Sequence, residues 1–311
     1  MELEESCNLI IVNPKSGNYN TKKILDKFYK KYPTDELFKL IESNNQDDIN
    51  EIIKGLEYYK NIIIVGGDGT VFSLIQKKLC NHINIGILPA GSGNGLSNSL
   101  LYNKSLKLDE DLSIKHINEC ILNNSTQLID TMTIKMLNSN FTINSFLFVS
   151  CGIFSNIDLN TEWLRILGDL RFILGAFYEL LKYLFFGNSI KGKLEYMDEN
   201  NNLKIIEEGE FAFFMANNLS HTSKTSITSP LSKPDDGYIY LSYLKEPTNT
   251  WTLLMVLLGL EDGSFVSRLK YRKTKWFSFI PENGVYDIDG EKYLIEPIEV
   301  SINPKSLRVL N

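Results

Sequence analysis

Three short stretches hold the residues best suited to chemistry: NPKSGN (Asn13–Asn18), GGDGT (Gly66–Thr70) and AGSGNG (Ala90–Gly95). Glycine costs backbone entropy, so bends this rich in it call for something that approaches the main chain closely. A bend without side chains turns its N–H groups toward an anion, and a helix starting just after it adds a favourable partial charge. Such bends suit phosphate. Asp68 inside GGDGT needs a different reason, because a carboxylate beside phosphates is repelled. It fits there as a metal-organising acid, or as a base that accepts a proton from an attacking hydroxyl. Neither a GxxxxGK[ST] stretch nor a GxGxxG stretch occurs, so the P-loop and the common dinucleotide fingerprint are excluded.

The elements around these bends follow from apolar spacing. NLIIVN reads as a buried strand, followed by a helix carrying Ile24, Leu25, Phe28, Tyr29 and Tyr32. LFKLIE is a second strand, and Ile49, Ile52, Ile53 and Leu56 mark a second helix. NIIIVGG and INIGILPAGSGNG are two more strands, each running through a glycine bend into a helix. Strands that alternate with helices make a parallel sheet with ligands at the strands' carboxyl ends, so all three bends belong on one sheet edge. From about Leu128 the pattern becomes β-rich, interrupted by helical segments near Trp163–Phe186 and Thr250–Gly259. The expected fold is therefore an α/β nucleotide domain with a Rossmann-like parallel sheet, plus a β-rich domain. The domains expected are residues 1–127, rejoined by 294–311, and residues 128–293.

Composition narrows the function. The 311 residues are 43% hydrophobic and 23% charged, with a formal net charge of −6, which argues against nucleic acid as partner. Cys7, Cys80, Cys120 and Cys151 are scattered, so neither a disulfide framework nor a zinc site is indicated. The acidic start MELEESC is unlike a signal peptide, and WTLLMVLLGL is far short of the ~20 residues that cross a bilayer. A cytoplasmic protein, at most peripheral to a membrane, is expected.

In order and spacing, NPKSG, GGDGT and LPAGSGNGLSNSL resemble the first three blocks of the diacylglycerol kinase-like lipid kinases. GSGNGLSNSL is closer to the sphingosine kinase form, and GIFSNIDLNTEWLRILGDLRFILGAF is similar to the segment in which those enzymes place an aspartate before two arginines. PDDGYIYLSYL and YDIDGEKY look like the last two blocks. The resemblance implies an α/β domain followed by a β-sandwich lipid domain, ATP and Mg²⁺ as cofactors, and a long-chain base such as sphingosine as substrate. Diacylglycerol or ceramide is the alternative substrate, and a lipid-binding module with weak ATP use is the alternative class. A homodimer is compatible with the reading.

Carried over block by block, the resemblance implies that Asn13, Pro14 and Lys15 touch the nucleotide. Gly67, Asp68, Gly69 and Thr70 would surround the reacting groups, and Gly91, Ser92, Gly93 and Asn94 would form the second wall. Arg165 and Arg171 would reach the phosphates, although six residues of ideal helix set them about 120° apart, so a turn near Gly168 is needed. Asp289, Gly290 and Glu291 would close the site near Mg²⁺ and the triphosphate. Asp68 is the expected base and Glu291 its rival. Asp158 would pair with the substrate ammonium, or, read without the resemblance, cap a following helix. Phe172, Ile173, Leu174, Phe177, Tyr178, Leu181 and Leu184 form one broad apolar stripe, of which Leu174, Phe177 and Tyr178 match a membrane-contact patch. Ser73 stands where relatives carry a glutamate, and only Glu42 remains of a Thr-Glu pair on the adenine side. Both departures bear on nucleotide affinity more than on transfer.

Overall fold

Ile62–Val65 and Ile85–Leu88 contain no polar residue, the pattern of strands covered on both faces. The computed structural model describes residues 8–14, 16, 21–31, 38–43, 59–77, 82–104, 110–161, 163–164, 170–187, 189–200 and 202–311. Lys15, Arg165, Gly168, Cys7, Cys80 and the helix expected over Ile49–Leu56 lie outside the described residues. The chain divides into two compact units, Met1–Ile129 with Lys305–Asn311, and Asp130–Pro304.

The first unit contains β1 (Asn8–Val12), α1 (Thr21–Lys31), β2 (Phe38–Glu42), β3 (Asn61–Gly66), α2 (Asp68–Ile75), β4 (Asn84–Pro89), α3 (Gly95–Asn103) and α4 (Glu110–Asn123). Its strands run parallel in the order β2-β1-β3-β4, and Val309 from the chain's last strand pairs with Ile85 beyond β4. Because β1 lies between β2 and β3, the strand order reverses there, and ligands bind at such a switch point. Ile10, Val12, Ile63, Val65 and Leu88 pack with Ile24 and Phe28 of α1 and with Ile114, Ile117 and Cys120 of α4. Helix α4 adds to the elements that apolar spacing identified.

The second unit is antiparallel and β-rich. It holds β5 (Thr126–Met136, from Asp130 on), β6 (Phe141–Ser145), β7 (Phe148–Gly152), α5 (Ile153–Asn160), α6 (Leu170–Phe186), β8 (Ile190–Met197) and β9 (Lys204–Asn217). After β10 (His221–Ser223) and β11 (Ser226–Ile227) come β12 (Ile239–Lys245), α7 (Thr250–Leu258), β13 (Lys270–Thr274), β14 (Trp276–Pro281), β15 (Val285–Ile288), β16 (Glu291–Leu294) and β17 (Ile298–Leu310). Residues 298–301 of β17 pair with Trp276–Phe279 of β14, which keeps residues 294–304 in this unit and returns only Lys305–Asn311 to the first.

The long strand β9 organises the unit. Its first half pairs with β8, and its second half pairs with β7 on one side and β12 on the other. One face buries Phe211, Phe214, Phe277 and Phe279, with the rings of Phe214 and Phe279 stacked at 4.5 Å. Phe213 belongs to another cluster, with Ile153 and Ile157 of α5 and Leu253 and Val256 of α7.

Within the β-rich run NSFLFVSCGI a turn at Phe146–Leu147 divides β6 from β7. One local reading changes. A third helix, α5, occupies Ile153–Asn160, so Asp158 lies inside a helix and does not cap the next one.

Candidate active site

In the first unit the bends come together backbone against backbone. A Cβ added to Gly91 would lie 2.6 Å from the Gly67 Cα, and one added to Gly67 would lie 3.1 Å from the Gly91 Cα. Real side chains do not tolerate the first distance, so position 91 requires glycine, and the second is tight enough that a side chain at position 67 would press on its neighbour. The Ser16 Oγ is 3.6 Å from that Gly67 position, which brings the first bend to the same point. Main-chain bonds fix the approach: Asn13 N–H donates to Val65 (3.1 Å), and Ala90 and Gly91 N–H both donate to Gly66 (2.9 and 3.2 Å). Asn13, Pro14, Ser16, Gly67 and Gly91 therefore meet at the carboxyl ends of β1, β3 and β4. Gly69 and Ser92 are exposed there, and the space around the Gly69 Cα is open.

Asn94 has an internal task. With φ 54° it adopts the left-handed conformation that Asn tolerates. Its amide donates to the Gly91 carbonyl (2.7 Å), and its side-chain oxygen accepts from Gly91 N–H (3.0 Å). Asn98 donates to the carbonyls of Gly93 (3.3 Å) and Asn94 (2.8 Å). Both asparagines therefore shape the wall from behind. Asn98 lies within the LSNSL run, where an amide at helical i+4 spacing from Asn94 was the available signal.

Asp68 begins α2, yet its carboxylate serves α3. Oδ2 accepts from Gly95 N–H at 2.7 Å and Oδ1 from Leu96 N–H at 3.2 Å. It thus satisfies two of the donors that every helix start leaves open, at the end of α3 where Asn94 supplies no side-chain cap. These two N–H groups face the acid and do not face a phosphate. Burial pushes the Asp68 carboxyl up to about 6, against the opposing pull of the two N–H groups. An acid at that value is largely ionised at neutral pH and still basic enough to take a proton. Thr70 is buried behind it, and the Ser73 hydroxyl donates to the Gly69 carbonyl at 3.0 Å within its own helix.

In the second unit, Asp158 and Arg171 come together, with Nη2 of Arg171 donating to Oδ1 of Asp158 at 3.0 Å. Arg171 is buried and stacks over the Phe172 ring at 4.2 Å, so its head group is held on Asp158. Asp289 is buried too. It accepts from the Ser145 hydroxyl (2.7 Å) and from the N–H groups of Phe146 (2.9 Å), Leu147 (3.0 Å) and Phe148 (2.8 Å). Four donors on one carboxylate explain the turn between β6 and β7, and burial pushes its carboxyl up to about 7. Gly290 has φ 90° and Glu291 is exposed. Asp287, two residues earlier, is also buried, accepts from Gly290 N–H at 2.9 Å and is hydrogen-bonded to Asp158. The YDIDGEKY block contains both aspartates, and the second carboxyl at Asp158 is visible only in three dimensions.

Helix α6 divides its apolar residues between two faces. Arg171, Gly175 and Glu179 are buried, and Phe172, Ala176, Leu180 and Tyr183 pack on the α5–α7 cluster. A Cβ on Gly175 would come within 2.5 Å of the Thr161 Cγ2, so glycine lets α6 pass close to the end of α5. Ile173, Leu174, Phe177, Tyr178, Leu181 and Leu184 are exposed, Phe177 by 64% and Tyr178 by 62%.

A nucleotide's phosphates suit the bare rim of Gly67, Gly69 and Gly91. Among the described residues no group of three His, Cys, Asp or Glu side chains makes a metal site by itself. A magnesium ion carried by a nucleotide's phosphates takes most of its ligands from them and from water, so the site need not hold an all-protein metal cage.

Comparison with known proteins agrees with this geometry. The diacylglycerol kinase catalytic domain model matches residues 8–134, the span that holds all three bends and Asp68. Sphingosine kinase 1 of Rattus norvegicus is 22% identical, over 96% of this chain and 89% of its own length. This similarity to a sphingosine kinase along most of the chain supports a lipid kinase. Sphingosine kinase 1 of Homo sapiens is 23% identical over 95% of the chain and 88% of its own. Sphingoid long chain base kinase 4 of Schizosaccharomyces pombe is 24% identical over 96% and 73%. The fold is shared with a crystal structure titled as a diacylglycerol kinase from Bacillus anthracis str. Sterne, with TM-score 0.72 and 18% identity over 100% of this chain and 98% of that one.

The touching bends give a direct prediction. Gly91→Ala forces the two bends apart, so binding of MgATP, read by thermal shift, falls about tenfold or more, a loss of ~1.4 kcal/mol. Unchanged nucleotide affinity in that variant would show that the contact of the bends does not shape the site.

Proposed function

We propose that the chain is an ATP-dependent kinase that phosphorylates the primary hydroxyl of sphingosine or a related long-chain base. The observation that carries the reading is Asp68, an acid poised near 6 beside two glycine bends in contact. In-line phosphoryl transfer asks a protein mainly for alignment, charge neutralisation and a group to receive the hydroxyl proton. The bare rim aligns and Asp68 receives the proton. Asn13, Pro14, Gly67, Gly69, Thr70, Gly91, Ser92, Gly93 and Asn94 form the nucleotide side of the site in this proposal. Mg²⁺, bound with the nucleotide, supplies charge neutralisation. Asp158 supports an aminated substrate, because a carboxylate next to an ammonium distinguishes a long-chain base from diacylglycerol.

The exposed face of α6 is the proposed membrane contact, through Leu174, Phe177 and Tyr178. Contiguous exposed apolar side chains mark binding surfaces, and a kinase for a bilayer lipid needs one. Among the described residues no helix is long and apolar enough to cross a membrane.

Two measurements test the proposal. With labelled ATP and a panel of sphingosine, ceramide and diacylglycerol, sphingosine is the preferred acceptor. Its kcat/KM rises with pH through about 6, since below that value Asp68 carries the proton and cannot accept another. A rate independent of pH between 5 and 7.5, or a preference for diacylglycerol, contradicts the base or the substrate respectively. For the surface, Leu174→Ser with Phe177→Ser lowers sedimentation with phosphatidylcholine–phosphatidylserine vesicles about fivefold or more. Its thermal stability should stay within roughly 0.5 kcal/mol per site, as for other exposed positions. Vesicle binding equal to wild type excludes this helix face.

A further inference from the structure

The pairing of strands around Asp158 puts a second acid and an unmet hydroxyl at the same place. Asp287 on β15 lies opposite Ser150 on β7, Ser150 opposite Met215 on β9, and Met215 opposite Ser242 on β12. Directly paired residues of an antiparallel sheet share a face with Cβ atoms ~5 Å apart. Phe213, two residues from Met215, lies on this face too and packs with Ile153 and Ile157 of α5. Helix α5 therefore covers that face and carries Asp158 to Asp287, with which it shares a side-chain hydrogen bond. Asp287 is 1% exposed and Ser150 fully buried. Among the described residues, the Ser150 hydroxyl, the Ser242 hydroxyl and Nε and Nη1 of Arg171 have no hydrogen-bond partner. Buried polar atoms are rarely left so, because each unmet group costs about 1–3 kcal/mol. The Ser150 hydroxyl and the Arg171 nitrogens, beside two carboxyls and near an apolar cluster, outline a seat for a polar head on an apolar tail.

Charge decides what that head is. Arg171 already balances one carboxylate, Asp158. A second carboxyl stands in contact with the first, and a cation is the group that would balance it. We propose that Asp287, with Ser150, is a specificity-determining part of the amine site, so that the ammonium of a long-chain base is shared by Asp158 and Asp287. Without a cation, burial and the Asp158 carboxylate hold Asp287 well above the usual carboxylate range, and the proton between the two acids occupies the cation's place. Asp287 has a second task, accepting from Gly290 N–H and so closing the turn into β16. An asparagine keeps that acceptor and loses only the charge.

The inference rests on the long-chain-base reading, and the experiment separates the two. KM and kcat are measured with sphinganine and with diacylglycerol for wild type, Asp287→Asn and Ser150→Ala, alongside the KM for MgATP and the melting temperature. Asp287→Asn raises the sphinganine KM at least tenfold, with kcat and the MgATP KM within about twofold. Ser150→Ala raises the sphinganine KM threefold to fivefold. If Asp287→Asn keeps the wild-type sphinganine KM, the acid only closes its turn and the inference is overturned while the substrate reading stands. If Asp287→Asn does not fold, Ser150→Ala decides: an unchanged KM overturns the shared seat. Wild type acting on diacylglycerol alone overturns both.

Discussion

One carboxylate ties the first unit's site together. Asp68 starts α2 but caps α3, so the GGDGT bend is bonded to the helix that follows the AGSGNG bend, 27 residues further along the chain. That tie and the contact of Gly67 with Gly91 depend on each other. The bends reach contact because Gly91 carries no Cβ, and with the bends in contact the acid lies within hydrogen-bond reach of Gly95 and Leu96. The same enclosure pushes the acid's proton affinity upward. The structural cap and the proposed proton acceptor thus follow from one placement, and neither excludes the other.

The second unit solves a comparable problem with other buried acids. Asp289 collects four donors and folds the turn between β6 and β7, so its charge is met by protein groups alone. Asp158 and Asp287 lie against each other, with the Arg171 guanidinium on Asp158 and the Gly290 N–H on Asp287. That contrast sets an acid committed to the fold beside a pair proposed to hold a ligand. Helix α6 shows the matching contrast among apolar residues, since Phe172 and Leu180 are absorbed by the core and Phe177 and Tyr178 are left outside.

Much of the first unit was legible in sequence because its signals are local. Uninterrupted isoleucine and valine runs make buried strands, and each glycine bend sits directly after one. What escaped depended on partners distant in the chain. Arg171 was legible as a cation of its block, but its partner Asp158, thirteen residues away, was not. Asp289 reads as a residue near the metal until the Phe146–Phe148 amides, more than 140 residues away, are seen to bind it. Asp287 gave no signal, because an acid in a β-hairpin usually serves a turn. Helix α5 was missed because GIFSNIDLN follows a strand without a cap residue, and its amphipathic span is only eight residues.

The central claim is that Asp68, at the junction of the glycine bends, receives the proton of the hydroxyl while the bends hold the nucleotide. Its most direct test compares MgATP affinity and turnover in Asp68→Asn. The account predicts affinity within about tenfold of wild type, since one helix-cap hydrogen bond of ~1–1.5 kcal/mol is lost. It predicts turnover lower by about 10²–10⁴, the range for removing a general base. Turnover within a few-fold of wild type would contradict it.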